Sequence, residues 1–140
     1  MTLTIRPMTP ESYDQIIALW QSAEGVGLSE ADSPEAIGQY LARNPGLSLV
    51  AWQDGRLVGA VLCGHDGRRG YIHHLAVRPE ARRQGIGRRL VQECLAGLRR
   101  QGIQKCHLFV FRANEEAIAF WQAIGFTGRD ELSMMSTYIE

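Results

Sequence analysis

Arg82-Arg83-Gln84-Gly85-Ile86-Gly87-Arg88-Arg89 gathers four arginines around two glycines, between an apolar run that reads as a strand and an amphipathic run that reads as a helix. The chemistry such a segment offers is anion binding. The first turn of a helix carries unpaired backbone N–H groups and the positive end of the helix dipole, so cations are disfavoured there. A phosphorylated ligand would neutralise the arginines and accept hydrogen bonds from a loop whose glycines leave no Cβ in the way. A solvated basic helix end is the plainer alternative; the two glycines and the preceding strand favour a phosphate seat. Gly85-Ile86-Gly87 lacks the third glycine of a dinucleotide fingerprint, and the surrounding elements alternate less regularly than a doubly wound fold requires.

The elements that must hold this loop are legible from pattern. Leu3 to Arg6 reads as a short strand, and Thr9-Pro10-Glu11 supplies an N-cap with proline at the first helical position. Tyr13, Ile16, Ile17 and Trp20 then recur at helical spacing, and Ser33-Pro34 opens a second helix with Ile37, Tyr40 and Leu41 on one stripe. Asp54-Gly55 between the apolar runs Leu47–Gln53 and Arg56–Gly64 predicts an antiparallel hairpin. Asp66-Gly67 marks a turn before the strand Tyr71–Val77, and the helix after the arginine loop buries Leu90, Val91, Cys94, Leu95 and Leu98 before stopping near Gly102. Cys106–Phe111 is the next strand, Asn114 caps a helix with Glu115 and Glu116 in its first turn, Gly125 ends it, and Leu132–Ile139 supplies a final, more polar strand. This order predicts an α/β fold: a mixed sheet covered by helices.

At 140 residues the chain fits a single domain, residues 1–140. Lys+Arg and Asp+Glu balance at 15 each, so a general nucleic-acid or membrane field is not expected and the arginine cluster is local. The N-terminus lacks the basic and apolar runs of a signal peptide and no segment is long enough to span a bilayer, which leads to the expectation of a cytoplasmic protein. Cys63, Cys94 and Cys106 lie inside apolar segments without metal-ligand spacing and are expected to act as small hydrophobes, with neither a disulfide nor a metal.

Taken together, these residues resemble the GCN5-related N-acetyltransferase superfamily over essentially the whole chain. Arg82-Arg83-Gln84-Gly85-Ile86-Gly87 is similar to the family's acyl-CoA loop, Leu75-Ala76-Val77 followed by Arg78-Pro79 to its cofactor-binding strand, and Asn114-Glu115-Glu116-Ala117 through Phe120-Trp121 and Gly125-Phe126 to a third signature. The resemblance implies a mostly antiparallel sheet of about seven strands flanked by four helices, with the fourth and fifth strands splayed at a bulge. It implies acetyl-CoA in that V, its pyrophosphate on the backbone N–H groups of Arg83, Gln84, Gly85, Gly87 and Arg88, with Arg82 and Ile86 completing the loop. The pantetheine would pair with backbone near Leu75 and Val77 beside Ala76, and Asn114, Ala117 and Trp121 would complete the cofactor contacts, although Asn114 serves equally as a helix N-cap.

Acetyl transfer to an amine needs a neutral nucleophile, yet a lysine-like ammonium of pKa about 10.4 is almost wholly protonated at neutral pH. His73 is the first candidate base, because strict alternation puts Tyr71, His73 and Leu75 on one strand face and Ile72, His74 and Ala76 on the other, with His74 facing the core. His74, or the two histidines as a water relay, is the alternative, and a bulge near Val77 would change the face assignment. The resemblance makes the Val77 N–H the donor to the thioester oxygen and direct transfer in a ternary complex the mechanism. Trp121 stands where many relatives carry the tyrosine that protonates the thiolate, so water, Tyr138 or Tyr71 is left for that step. The acceptor is expected to be an amine of a small molecule or a protein, drawn by acidic residues such as Glu24, Glu30, Asp32, Glu35, Asp130 and Glu131. An acyl-CoA-binding module with little catalysis is the competing function, and a nucleic-acid domain using Arg68, Arg69, Arg78 and the loop arginines is disfavoured by the zero net charge. Dimerisation is common among relatives, but no exposed apolar stripe in the sequence specifies a homodimer.

Overall fold

In the computed structural model, which describes residues 2–140, the chain reverses at Asp54-Gly55 with φ of +54° and +75°. Positive φ at both central residues is the twist-matched turn that Asp-Gly favours, and it joins β2 (Leu49–Gln53) to β3 (Arg56–His65). β1 (Leu3–Pro7) pairs with β2, and β4 (Gly70–Val77) pairs with β3, all antiparallel. β5 (Cys106–Leu108) adds to β4 in parallel, giving the order β1-β2-β3-β4-β5.

α1 (Tyr13–Ser22) and α2 (Pro34–Arg43) cover one face of this sheet. Ile16, Leu19, Trp20 and Ile37 pack there with Val50, Leu57, Ala60, Leu62 and Ala76. The Ser33 hydroxyl caps α2 by accepting the Ala36 N–H at 3.1 Å. Thr9 does not cap α1: its side chain makes no capping hydrogen bond, and a 3-10 turn over Pro10–Ser12 intervenes before the α-helix starts at Tyr13. α3 (Ile86–Arg100) buries Leu90, Val91, Cys94 and Leu98, and Gly102, at φ +82°, follows its end. Cys63 and Cys94 are buried free thiols. Ser48 joins the two hairpin strands from within the core, its hydroxyl accepting the Cys63 N–H at 2.9 Å and donating to the Cys63 carbonyl at 3.2 Å.

The described residues fall into two compact units, and these elements belong to the first, which runs to Phe109. The second, Val110–Glu140, is built on α4 (Glu115–Ala123). The Asn114 side chain accepts the Ala117 N–H at 3.1 Å, Glu115 and Glu116 occupy the first turn, and Gly125 at φ +106° follows the last. The Trp121 ring sits edge-on to Phe120 and Phe126, each centroid 5.1 Å away.

The α/β class, the four α-helices, the hairpin and the parallel β4–β5 pair agree with the expected architecture. The strand count does not: five strands form among the described residues, not about seven, and residues 132–139 form none. The reason is visible in the side-chain order. Met134-Met135 and Tyr138-Ile139 are adjacent apolar pairs separated by Ser136 and Thr137, so a two-residue period divides them between opposite faces and neither face is continuously apolar. No helix of the described residues is long and apolar enough to cross a membrane.

Candidate functional site

β5 accompanies β4 for three residue pairs, from Gly70 with Cys106 to Ile72 with Leu108. Beyond Ile72 the two separate, while β4 continues through His73–Val77 with no strand on that edge among the described residues. Arg78 donates its N–H to the Val58 carbonyl at 2.8 Å, toward β3. Backbone polar groups alternate in direction along a strand, so the Val77 amide one residue earlier is turned to the opposite, open edge.

The segment after this edge leads directly into the arginine loop. Arg82 donates its Nε–H to the Val77 carbonyl at 3.2 Å, and Gln53 donates its amide N–H to the Gln84 side-chain oxygen at 3.1 Å. Arg83 and Gly85 both take positive φ, +64° and +76°, and Gly85 is the N-cap of α3 with no side-chain cap. The first helical bond is Arg89 N–H to the Gly85 carbonyl at 3.0 Å, so the amides of Ile86, Gly87 and Arg88 have no helical carbonyl to bond. The first turn carries no acidic residue. Arg89 is paired with Glu93 at 3.2 Å, whereas Arg83 and Arg88 are exposed and have no ion pair among the described residues. Unpaired amides, the positive end of the dipole and two guanidinium groups without an ion pair thus belong to one contiguous stretch of chain. Arg78 is committed elsewhere, its Nε–H donated to the Leu57 carbonyl at 2.7 Å.

A β-bulge reshapes the middle of β4. Ala60 pairs with Ala76 and Leu62 with His73, so His74 and Leu75 together oppose Val61, and His74 lies at φ +56°. The extra residue changes the parity of the strand. His73 and Ala76, which strict alternation assigns to opposite faces, both lie on the α1–α2 side, and His74 joins them there. The face assignment expected from sequence is therefore corrected for His73, which lies on the Ala76 side together with His74: both line a cavity of about 290 Å³ with Asp32, Ile37, Tyr40 and Leu62.

Asp32 closes a 3-10 turn (Glu30–Asp32) between α1 and α2. One carboxylate oxygen accepts the Ser29 N–H at 3.0 Å and the other lies 2.9 Å from His74 Nε2. The Tyr13 hydroxyl donates to the Asp32 carbonyl at 2.6 Å, fixing the same turn to α1. Asp32 and His74 side chains are 7% and 18% exposed, so the pair is held largely away from bulk water. Trp20 presses edge-on against the His74 ring at 5.0 Å. Sequence reading placed Asp32 only among acidic residues around an acceptor. The signal that would have singled it out is Ser29-Glu30-Ala31-Asp32, whose ends satisfy each other's backbone amides as a capping box.

His73 is bounded by aromatic rings: Tyr71 and Phe109 lie nearly parallel to it at 6.4 and 6.3 Å, and Tyr40 stands across it at 6.4 Å. Burial first, and then the neighbouring His74, hold its pKa below the ordinary imidazole value, with Asp32 opposing them. Above about pH 6.5 the ring is neutral in both the folded and unfolded chains and contributes no pH dependence. As pH falls below that value the unfolded chain takes up a proton that the folded one resists, so stability declines. His73→Phe is expected to flatten this part of the profile, measured as thermal midpoints between about pH 8 and pH 5; an unchanged slope would remove His73 as its source.

Of the remaining sequence candidates, Leu75 is half-buried on β4, Ala76 packs into the core, and Asn114, Ala117, Trp121 and Tyr138 belong to the second unit. The acetyltransferase (GNAT) family profile matches residues 13–126. The chain is 30% identical over 139 residues to the acetyltransferase ECA0875 of Pectobacterium atrosepticum, covering 99% of this chain and 97% of that one. Among solved structures it resembles the PaiA N-acetyltransferase of Thermoplasma acidophilum, in complex with coenzyme A, with a TM-score of 0.78 at 24% identity, over 93% of this chain and 92% of that one. It also resembles the aminoglycoside 6'-N-acetyltransferase AAC(6')-Ig of Acinetobacter haemolyticus, with a TM-score of 0.79 at 19% identity, over 98% and 99% of the two chains. At these identities the structural likenesses speak for the fold.

Proposed function

The chain belongs to the acetyltransferase (GNAT) family, and from that premise we propose that it transfers the acetyl group of acetyl-CoA to a primary amine by direct attack within a ternary complex. The observation that carries the reading is the continuity of the open β4 edge with the arginine loop through the Arg82 contact to Val77. An extended pantetheine arm bonds to the exposed strand edge as an added strand would, and its pyrophosphate reaches the start of α3. Both parts lie within the first unit.

The amine nitrogen attacks the thioester carbonyl carbon, and the Val77 N–H donates to the oxygen as negative charge develops on it. A β4 histidine takes the proton that the nitrogen must lose, the C–S bond breaks, and CoA thiolate leaves to be protonated by solvent. Trp121 supplies no acid here, since an indole N–H does not titrate in this range. The cavity beside His73 and His74 has apolar walls and one carboxylate. It supports an acceptor that presents a primary amine on an apolar stem, whether free or at the end of a peptide.

The test is calorimetric titration with acetyl-CoA, CoA and 3′-dephospho-CoA, followed by thiol release in the presence of benzylamine, spermidine and an alanine-led peptide. Binding of acetyl-CoA that weakens when the 3′-phosphate is removed is expected, because Arg83 and Arg88 are exposed and have no ion pair among the described residues. A folded sample that binds none of the three would overturn the reading, and binding without turnover of any amine would leave an acyl-CoA-binding module.

A further inference from the structure

We propose that His74, and not His73, is the base that accepts the amine proton, and that Asp32 is its positioning residue, holding the imidazole in the Nε2–H tautomer so that the Nδ1 lone pair receives the proton. This rests on the acetyl-transfer reading above. The bulge in β4 gathers His73, His74 and Ala76 on the α1–α2 side, where His74 Nε2 lies 2.9 Å from Asp32.

A neutral imidazole has one N–H and one lone pair, and the partner of one nitrogen determines the state of the other. A carboxylate only accepts, so Asp32 at 2.9 Å from Nε2 selects the tautomer with hydrogen on Nε2. Asp32 is itself held by the Ser29 N–H, and its backbone carbonyl by Tyr13, so the acceptor has a fixed place. Trp20 restrains the ring plane from the core side. His73 has no comparable device: its neighbours are the rings of Tyr71, Phe109, Tyr40 and His74, and it has no hydrogen-bond partner among the described residues.

The proton balance is complete with groups already named. As the amine nitrogen forms its bond to the acetyl carbon, its surplus proton passes to His74 Nδ1, giving an imidazolium beside the Asp32 carboxylate. Asp32, 2.9 Å from Nε2, goes on accepting that N–H while the ring carries the proton. Breakage of the C–S bond then releases the thiolate, and the imidazolium returns its proton to solvent or to the departing sulfur.

Asp32→Asn tests the assignment with almost no change of volume. Its side-chain oxygen can still accept the Ser29 N–H, while its NH2 now faces Nε2 as a donor and selects the opposite tautomer. Nitrogen-15 spectra of the histidine rings at about pH 8.5, where free imidazole is neutral, are expected to show His74 as Nε2–H in the wild type and as Nδ1–H in Asp32→Asn. With acetyl-CoA and benzylamine, kcat is expected to fall by roughly 10²-fold or more in Asp32→Asn, with KM for the amine changed by less than about threefold. Adding His74→Gln to that variant should cost little further, because the two residues act as one unit. A wild-type His74 carrying its hydrogen on Nδ1 would overturn the proposal without any variant. So would wild-type kcat in Asp32→Asn, or a loss confined to His73→Gln. Failure of the wild type to acetylate any amine, with the Nε2–H tautomer present, would instead fault the acetyl-transfer reading and take the catalytic assignment with it.

Discussion

Replacing Gly85 with glutamate is expected to weaken acetyl-CoA binding by on the order of 100-fold or more while leaving the fold in place. Two independent costs add. Gly85 sits at φ +76°, where a residue with a Cβ is strained by about 1–3 kcal/mol. That strain is relieved by moving the loop, which displaces the amides at the start of α3. The second cost is electrostatic: a carboxylate placed among these amides occupies the position of the anion and pairs with Arg83 or Arg88 in its stead. Each 1.4 kcal/mol is a tenfold change in affinity, so modest values of both terms reach the expected loss. A Cβ at this position meets nothing within 4 Å, so the core is untouched and the thermal midpoint should fall only by the strain. Gly85→Asn is the control, because asparagine tolerates the left-handed region and adds no charge; it should retain most of the affinity. Calorimetric titration with acetyl-CoA reads all three proteins, and wild-type affinity in Gly85→Glu would reject the loop as the pyrophosphate site.

The loop was legible because its signal is local. Arginines where the helix dipole disfavours them, a glycine at a left-handed cap and a strand just before are all properties of contiguous residues, and the same is true of Asp54-Gly55 and of the Ser33 and Asn114 caps. The histidine site was legible in composition but not in geometry. Period-two counting along Tyr71–Val77 is sound until one extra residue enters the ladder, and nothing in Ile72-His73-His74-Leu75 announces that His74 will take a positive φ. The bulge is set by pairing with Ala60 and Leu62, far away in sequence, and so it is a tertiary decision. Asp32 was hidden for a related reason: its partner lies 42 residues on, and the two meet only in the tertiary fold. The missing final strand is the opposite case, in which apolar content was counted but its alternation across Met134-Met135 and Tyr138-Ile139 was not.

Leu90→Ala is expected to destabilise the protein by about 2–5 kcal/mol, and the reason connects the core to the site. Leu90 is fully buried one turn into α3, and its Cδ1 lies 3.1 Å from where a Cβ on Gly59 would stand, with Ile86 Cγ2 at 3.3 Å from the same point. β3 therefore lets the start of α3 approach to backbone distance only because residue 59 has no side chain. Gly59 is also the partner of Val77 across the β3–β4 ladder. One small residue thus fixes both the amide proposed to receive the oxyanion and the helix start proposed to hold the pyrophosphate. Truncation at Leu90 leaves a cavity beneath the helix start, and close-packed surroundings refill such a space only in part. In urea unfolding the midpoint should fall with little change in slope, which identifies a loss of native stability and not a change in the denatured chain. Leu90→Met keeps the volume and should cost less than about 1.5 kcal/mol. Affinity for acetyl-CoA should drop less than in Gly85→Glu, since Leu90 acts only through the position of the helix. A cost below about 1 kcal/mol for Leu90→Ala would mean that the start of α3 is held by contacts other than its packing on Gly59, and the rigid link between the open strand edge and the arginine loop would lose its support.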